Sequence, residues 1–489
     1  MRQQHEREPL LGRRSRRAST SKSKSPAIIG ESIRLLQATI PITASFALQN
    51  IVQAVSVITV GSLGHHQLDI ASYGFMFATC TGSMVAIGGS TALDTLCGHA
   101  VASCKTSQTP PSVLGRYLQQ TIFVLSVLFI GVITPIWIFS HHLFLALGQD
   151  AWLAHGTHRF LVLTLPAGYC QMLAECLKKY GQVQGDSSAV GWATFAATVV
   201  GVVSNLVLVK KTALGIDGAP VAFFVYQFTT VVILVALIAR RERLLKTIEP
   251  VRTWGAFRDG MGTNAFLALT GLATIATEWW SFEILAIMAA RLSASEIAAQ
   301  SILMSVDLIF TTVSLGIGVA SSHRIGYFFG RNEPQSARRA AFSPYLLSLL
   351  VGAIEFVAIM STRHRFGYLF TSDPESVAMT AKVLPWMAMF QILDLSNGGA
   401  GGILRGAKKN HLSGVCNFVA YYGVGLTTAW VLCFRWQWGV VGLWAGIVCG
   451  SGGLIILQTC CVVTLPWKKI ALDASGDIDT GSVASDSSM

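Results

Sequence analysis

Runs of roughly 20 apolar residues recur along the chain, and short polar segments separate them. A bilayer hydrocarbon core of about 30 Å needs a helix of about 20 apolar residues to cross it. The pattern therefore predicts an all-α polytopic membrane protein with twelve transmembrane helices. Their predicted ranges are 33–63, 69–93, 117–139, 152–174, 188–209, 216–239, 263–290, 296–320, 340–362, 383–404, 412–434 and 439–464.

The composition agrees with this class and excludes others. Of the 489 residues, 52% are hydrophobic and 12% are charged, whereas a soluble domain carries about 25% charged residues. Disorder needs the opposite balance. The net charge of +11 does not indicate nucleic-acid binding, because the basic residues lie between the apolar runs. The ten cysteines form no CxxC pair and no cluster with His, so we expect no metal site, and no cofactor is indicated.

The distribution of Lys and Arg predicts the orientation in the membrane. With the N-terminus in the cytoplasm, 28 of the 36 basic residues fall in cytoplasmic segments and 7 fall outside. Short cytoplasmic loops are enriched in Lys and Arg. Both termini are therefore predicted to be cytoplasmic.

An internal repeat predicts two lobes of six helices each. Three residues of the first half match three of the second half at one offset of 228 residues: Gly88, Ala92 and Gly98 match Gly316, Ala320 and Gly326. Halves with an even number of helices form a parallel repeat about an axis along the membrane normal. The predicted divisions are a basic cytoplasmic tail (1–32), an N-terminal lobe (33–240), a cytoplasmic connector (241–262), a C-terminal lobe (263–465) and a cytoplasmic tail (466–489).

Five acidic residues lie well inside predicted helices, and all belong to the second half: Glu278, Glu283, Asp307, Glu355 and Asp394. Each costs about 2.5–3.5 kcal/mol at a helix centre, and no Lys or Arg is expected inside the same spans as a partner. Loss of water favours the neutral form of a carboxyl, so such a group can bind a proton or a cation in turn, as a proton-coupled carrier requires. The alternative, a protonated acid that only bonds a neighbouring helix, is favoured for Glu355 and is equally open for Asp307. Other acids, such as Asp94 and Glu175, are assigned to loops or helix ends.

Glu278 and Glu283 belong to the segment Glu-Trp-Trp-Ser-Phe-Glu. Five residues turn an α-helix by about 500°, so the two carboxyls point about 140° apart. They are therefore not expected to line one narrow face. The adjacent Trp279 and Trp280 suit an organic cation through cation–π contact.

With these segments the chain resembles the multidrug and toxic compound extrusion (MATE) family, in its eukaryotic branch. The resemblance is carried by ALDTLCG at 92–98, EWWSFE at 278–283, GILRG at 402–406 and the segment 417–426. It implies two six-helix lobes that form a V, a central cavity that opens to each side in turn, and exchange of protons for organic solutes. The family's acidic residues of the seventh and tenth helices correspond to Glu278, Glu283 and Asp394. Further cavity candidates are Gln53, Trp280, Asp307, Asn417 and Tyr421.

One departure from the family concerns the eighth helix. Ser305 stands where animal members carry a Glu, and Asp307 follows two residues later. Two residues turn a helix by about 200°, so whether Asp307 replaces that acid is open. The first helix has Gln53 but no acid, and the coupling of some bacterial members is therefore not carried over.

The predicted function is a secondary antiporter that expels or sequesters organic compounds, cationic or amphiphilic, in exchange for protons. The predicted partners are small organic solutes, protons or sodium, and the lipid bilayer. A sodium-coupled antiporter stays open as an alternative, as does a flippase for lipids or lipid-linked oligosaccharides. An enzyme is not predicted, because no catalytic cluster is visible at the membrane face.

The N-terminal tail carries a candidate sorting motif, in which Glu6 precedes Leu10 and Leu11. This acidic dileucine pattern is of the type that sorting adaptors read for the vacuole or lysosome. A plain tail, or contact of its basic residues with anionic lipid, are the alternatives. The predicted location is therefore the vacuolar membrane or the plasma membrane.

Overall fold

A computed structural model describes residues 28–105, 110–248 and 254–472. In these ranges twelve helices are long and apolar enough to cross a membrane, which confirms the predicted number. They are α1 (Ile28–Gly61), α2 (His65–Cys104), α3 (Ser112–Ile138), α4 (Ala151–Val183), α5 (Ser187–Lys210), α6 (Gly215–Arg240), α7 (Met261–Ala289), α8 (Ala294–Gly330), α9 (Pro334–Leu369), α10 (Pro374–Gly406), α11 (Asn410–Arg435) and α12 (Val440–Thr464). The sorting motif and both predicted tails beyond these ranges lie outside the described residues.

Local sequence signals set several helix starts and irregularities. Ser293 and Glu296 form a capping box at the start of α8, and Asp373 accepts hydrogen bonds from Glu375 N and Ser376 N at the start of α10. Prolines stand inside three helices, where neighbouring helices in a membrane bundle compensate for the lost backbone bond. Short π-helical segments interrupt α2, α3 and α11.

The helices form two lobes, α1–α6 and α7–α12, and each has its own apolar core. Trp137 and Phe129 are fully buried in the core of the N-terminal lobe. Trp444 and Phe390 occupy the equivalent centre of the C-terminal lobe, with their ring centroids 6.0 Å apart. The bounds 33–240 and 263–465, assigned to the lobes from the sequence, stay predictions.

The lobes meet mainly through α1 and α2 of the N-terminal lobe. α2 packs against α7 and α8, and α1 packs against α8 and α9. Where α2 crosses α8, Gly98 and Gly326 face each other, and a Cβ built on Gly326 would lie 3.4 Å from the Gly98 Cα. These two glycines are matched at the 228-residue offset, so the repeat-related positions meet at the lobe interface, as residues beside a two-fold axis do.

One face of the bundle carries much of this interface. We call it the connector face: α1 begins there at Ile28, and α2, α8 and α10 end there. Ser103 Oγ donates to the Gly330 carbonyl (2.9 Å), and the His99 ring lies 2.7 Å from the Gly406 carbonyl. Arg324 pairs with Glu31 at 2.5 Å. At this face the two lobes are in contact.

Near this face, α2, α4 and α10 extend beyond the ends predicted from the sequence. α4 continues to Val183 and α10 to Gly406, so Lys178, Lys179 and Arg405 lie within helices and not in connecting segments. Asp94 and Glu175, assigned to loops or helix ends, are 0% and 1% exposed inside α2 and α4. These acids escaped the prediction because oppositely charged residues on other turns and helices pair with them, and such pairing is not visible in a hydropathy pattern.

Candidate functional site

Glu278 and Glu283 line two different cavities on opposite sides of α7. This agrees with the angle of about 140° that their spacing gives. Glu283 lines a cavity of about 180 Å³ between the lobes. Glu278 lines a smaller one of about 50 Å³ inside the C-terminal lobe. One helix thus supplies a carboxyl to each cavity.

The interlobe cavity combines amide, indole and carboxyl groups. α1 contributes three amide side chains, α4 contributes one, and α7 contributes an indole and a carboxyl: Gln49, Asn50, Gln53, Gln171, Trp279 and Glu283. Glu283 Oε1 accepts a hydrogen bond from Cys80 Sγ of the N-terminal lobe at 3.1 Å. The cavity offers one carboxyl group beside an aromatic side chain, and neutral hydrogen-bonding side chains surround both. Gln53 lies in it, as predicted.

Trp279 of α7 lines this cavity together with Trp137, and Trp280 does not. Trp280 is 50% exposed, and its Nε1 donates to the Cys80 carbonyl of the N-terminal lobe at 3.2 Å. A role of Trp280 in solute binding stays a prediction. Neighbouring residues on a helix point about 100° apart, and the sequence alone did not reveal which of the two faces the cavity.

Polar side chains of three helices lie near Glu278 in the C-terminal cavity. Asn397 and Arg405 come from α10, Asn417 comes from α11, and Gln458 comes from α12. Asn417 donates to the Thr274 carbonyl (3.2 Å) and accepts from Gln458 Nε2 (3.2 Å). Asn417 thus lines the cavity. Tyr421 does not line it: this residue is fully buried beside Phe282, with ring centroids 6.3 Å apart.

Three more carboxyls are buried in the same lobe, as predicted. Asp394 is 3% exposed, and its Oδ2 has no hydrogen-bond partner among the described residues. Asp307 accepts a bond from Gln391 Nε2 at 2.8 Å. Glu355 is 8% exposed on α9. Like charges in a poorly hydrated region repel. These carboxyls therefore bind protons, or they need cations beside them.

Ser305 and Asp307 lie on different sides of α8. Ser305 lies on the exposed side of α8, where its Oγ donates to the Ser301 carbonyl. Asp307 is 7% exposed and points toward α10. The acid of this helix thus lies in the interior of the lobe, two residues beyond the position that the family resemblance indicated.

A buried ionic cluster at the lobe interface is the feature that sequence reasoning missed. Asp94 accepts from Lys179 Nζ (2.9 Å) and lies 2.8 Å from His323 Nε2. The Arg405 guanidinium lies 3.6 Å from the same carboxylate. Lys178 pairs with Glu175 at 2.5 Å beside it. Two adjacent lysines and an Asp that follow the predicted ends of α4 and α2 were the available signal.

Arg405 joins this cluster to the carboxyl cavity. It lines the cavity of Glu278 and reaches Asp94 of the other lobe. Its ion pair is with Asp94 of the first half, and the absence of a Lys or Arg paired with the second-half acids stays a prediction. Arg405 stands near the end of α10, where a hydropathy pattern assigns it to a loop.

Among the described residues, no group of three or more His, Cys, Asp and Glu side chains could hold a metal ion. The site is therefore a set of buried carboxyls, one shared arginine and two cavities. Such a set can exchange protons and bind a cation.

Comparison with known proteins identifies the class. The MatE family model matches residues 41–207 and 272–431, and the chain belongs to this family of membrane transporters. The chain is 28% identical over 449 residues to multidrug and toxin extrusion protein 1 of Xenopus tropicalis, covering 91% of this chain and 76% of that protein. It is 27% identical over 458 residues to protein DETOXIFICATION 14 of Arabidopsis thaliana, covering 92% of each.

The structures agree with the sequence matches. The crystal structure of the eukaryotic MATE transporter AtDTX14 superposes with a TM-score of 0.85 at 25% identity, covering 92% of this chain and 99% of that one. The predicted family, the twelve-helix two-lobe fold and the parallel repeat are confirmed. The chain is a multi-pass membrane transporter of the eukaryotic MATE type.

Proposed function

We propose that this transporter exchanges protons for organic cations or amphiphilic organic compounds by alternating access. The observation that carries the proposal is a group of carboxyls in the C-terminal lobe: Asp307, Glu355 and Asp394 are buried, and Glu278 lines a cavity together with Arg405. A buried carboxyl without a full countercharge binds a proton readily and releases it when a cation arrives. Glu278 and Asp394 exchange the protons, and Glu283 supports them.

The interlobe cavity supports an organic cation as the solute. Trp279 and Glu283 offer an aromatic face and an anion at adjacent turns of α7, and both attract a positively charged group. The amides of α1 and α4 accept or donate hydrogen bonds without adding charge. The multidrug and toxin extrusion proteins among its relatives are consistent with solutes of this class.

The predicted orientation makes the connector face cytoplasmic, with both termini on that side. The state described here is then closed toward the cytoplasm. The membrane in question is that of the vacuole or the cell surface, and an adaptor that reads Glu6, Leu10 and Leu11 would direct the protein to the vacuole. Loss of vacuolar targeting when both leucines are replaced by alanine would support this location.

Uptake of a fluorescent organic cation into proteoliposomes with an imposed pH gradient tests the transport proposal. The gradient should drive uptake by the wild-type protein, and Glu278→Gln and Asp394→Asn should abolish it. Glu242→Gln is the matched control, because the Glu242 side chain is 86% exposed. Full retention of uptake in Glu278→Gln would contradict the proposal.

The same vesicles separate the alternatives. Uptake that follows an imposed sodium gradient, and not a proton gradient, would establish sodium coupling. Failure of every tested cation under both gradients, together with movement of labelled lipid between leaflets, would establish a flippase.

A further inference from the structure

The cluster around Asp94 is short of one negative charge. Lys179 is 1% exposed and the Arg405 side chain is 13% exposed, and both lie beside the single carboxylate of Asp94. The neighbouring Lys178–Glu175 pair is neutral in itself, and His323 supplies no negative charge. A buried cation without a matching anion is costly, because the low-dielectric interior does not replace its hydration. The closed interface therefore needs another anion nearby.

Arg405 is the cation that lacks a full partner. Its 3.6 Å separation from the Asp94 carboxylate is longer than a charge-assisted hydrogen bond of 2.7–2.9 Å. Its Nε is buried and has no hydrogen-bond partner among the described residues. Lys179, by contrast, is bonded to Asp94 at 2.9 Å. The guanidinium is thus free to share a second anion.

Glu278 is the carboxyl placed to supply that charge. Among the acids of the C-terminal lobe, it is the one that lines the cavity together with Arg405. Asp307 is bonded to Gln391, and Asp394 lies on the same helix as Arg405, 11 residues earlier. The charged or titratable groups around Arg405 are therefore those of four helices: Asp94 of α2, Lys179 of α4, Glu278 of α7 and His323 of α8.

We propose that Arg405 is a positioning residue shared by two anions, and that it links the protonation state of Glu278 to closure of the lobes at the connector face. With Glu278 ionised, Asp94 and Glu278 together neutralise Lys179 and Arg405, and the interface stays closed. A proton on Glu278 leaves a buried positive charge at the interface, and the lobes separate there so that water can reach it. The proposal rests on the proposed proton exchange at Glu278.

This linkage has the sign that an antiporter needs. An ionised carrier stays closed at the connector face, so a carrier that faces the other side does not open there until it has bound a proton. The proton-loaded carrier opens at that face and can release its proton there. Coupling then arises from one arginine whose two partners lie on different lobes.

The reactivity of a cysteine at position 103 reports on the opening of the interface. Ser103 is 1% exposed and bonds Gly330 across the lobes, and Ser103→Cys changes one atom. The ten native cysteines are first replaced, and the protein in lipid nanodiscs is alkylated with N-ethylmaleimide at neutral pH. In Glu278→Gln, the neutral amide mimics the protonated carboxyl.

A double-mutant cycle isolates the role of Arg405. Glu278→Gln should raise the alkylation rate at least about threefold when Arg405 is present and should have no effect in the Arg405→Gln background. Glu242→Gln is the control, because the Glu242 side chain is 86% exposed; it should leave the rate unchanged. An equal effect of Glu278→Gln in both backgrounds, or none in either, would overturn the proposal.

A second measurement avoids the cysteine replacements. Amide hydrogen exchange of the segment 95–105 in the otherwise native protein should speed up in Glu278→Gln and not in Glu278→Gln with Arg405→Gln. Neither readout requires transport. If proton-driven uptake is absent while the cycle behaves as described, the proposed function fails and the charge linkage stands. If uptake is intact and the effect of Glu278→Gln does not depend on Arg405, the linkage alone is overturned.

Discussion

Gly98 and Gly326, which the sequence repeat matches at an offset of 228 residues, face each other where α2 crosses α8. At this crossing a Cβ built on Gly326 would lie 3.4 Å from the Gly98 Cα. Gly330, one turn further along α8, is closer still to the other lobe: a Cβ built there would lie 2.2 Å from the His99 carbonyl oxygen. The connector face is therefore closed by backbone packing as well as by charge.

Substitution of Gly330 should open this face, whereas Gly98 tolerates the same change. A Cβ on Gly98 would lie 3.7 Å from the Gly326 Cα, an ordinary contact. Gly330→Ala should destabilise the closed state by about 1–3 kcal/mol through overpacking, and Gly98→Ala should have little effect. Thermal unfolding in detergent and amide exchange of segment 95–105 measure both. Equal behaviour of the two variants would show that the glycines do not set the lobe separation.

Removal of the Asp94 charge should be strongly destabilising. Asp94→Asn leaves the buried Lys179 without the carboxylate that it bonds, and breaking one side of a buried pair costs about 3–5 kcal/mol. Adding Lys179→Gln to the variant should restore part of the lost stability, because one unpaired cation is removed. Asp217→Asn serves as a control, since its pair with Arg159 is partly exposed. Thermal unfolding that is unaffected in Asp94→Asn would contradict the assignment of the cluster.

Trp279 should matter for solute binding more than Trp280. Trp279→Ala removes the α7 indole of the interlobe cavity, and loss of a cation–π contact of about 0.5–2 kcal/mol should raise KM for a cationic solute several-fold. Trp279→Phe should retain part of the affinity. Trp280→Ala, which changes a half-exposed side chain, is the comparison. The rate of uptake against cation concentration gives KM, and a larger effect of Trp280→Ala would count against this cavity as the solute site.

Asp307 should act as an acid and not only as a hydrogen-bond acceptor for Gln391. Asp307→Asn can still accept that bond through its amide oxygen, so thermal stability should change little while proton-driven uptake falls. Ser305→Ala, on the exposed face of α8, should leave both unchanged. If Asp307→Asn retains full uptake, the residue has a structural role and does not replace the acid that animal members carry in this helix.

Much of the architecture follows from the sequence, because a bilayer imposes a minimum length on each apolar run. The twelve helices and the two-lobe repeat were predictable for this reason. The ends of α4 and α10 were not, since Lys179 and Arg405 look like loop residues until Asp94 is found beside them. Hydropathy reports on contact with lipid, and it does not report which charges of different helices pair inside the bundle.

The candidate site was predictable to a similar degree. Buried carboxyls stand out in an apolar helix, and Glu278, Asp307 and Asp394 were found in this way. The choice between Trp279 and Trp280 depends on the rotation of α7 against the N-terminal lobe, which helical spacing alone does not give. The link from Glu278 through Arg405 to Asp94 depends on two lobes meeting and was beyond any local pattern.

Proton movement driven by the solute tests the central claim most directly. Proteoliposomes that contain a pH-sensitive dye and no imposed pH gradient are given an organic cation on one side only. Proton flux opposite to the solute is expected for the wild-type protein and for Glu242→Gln, and it should disappear in Glu278→Gln and Asp394→Asn. Solute uptake without any proton flux in the wild-type protein would contradict the account.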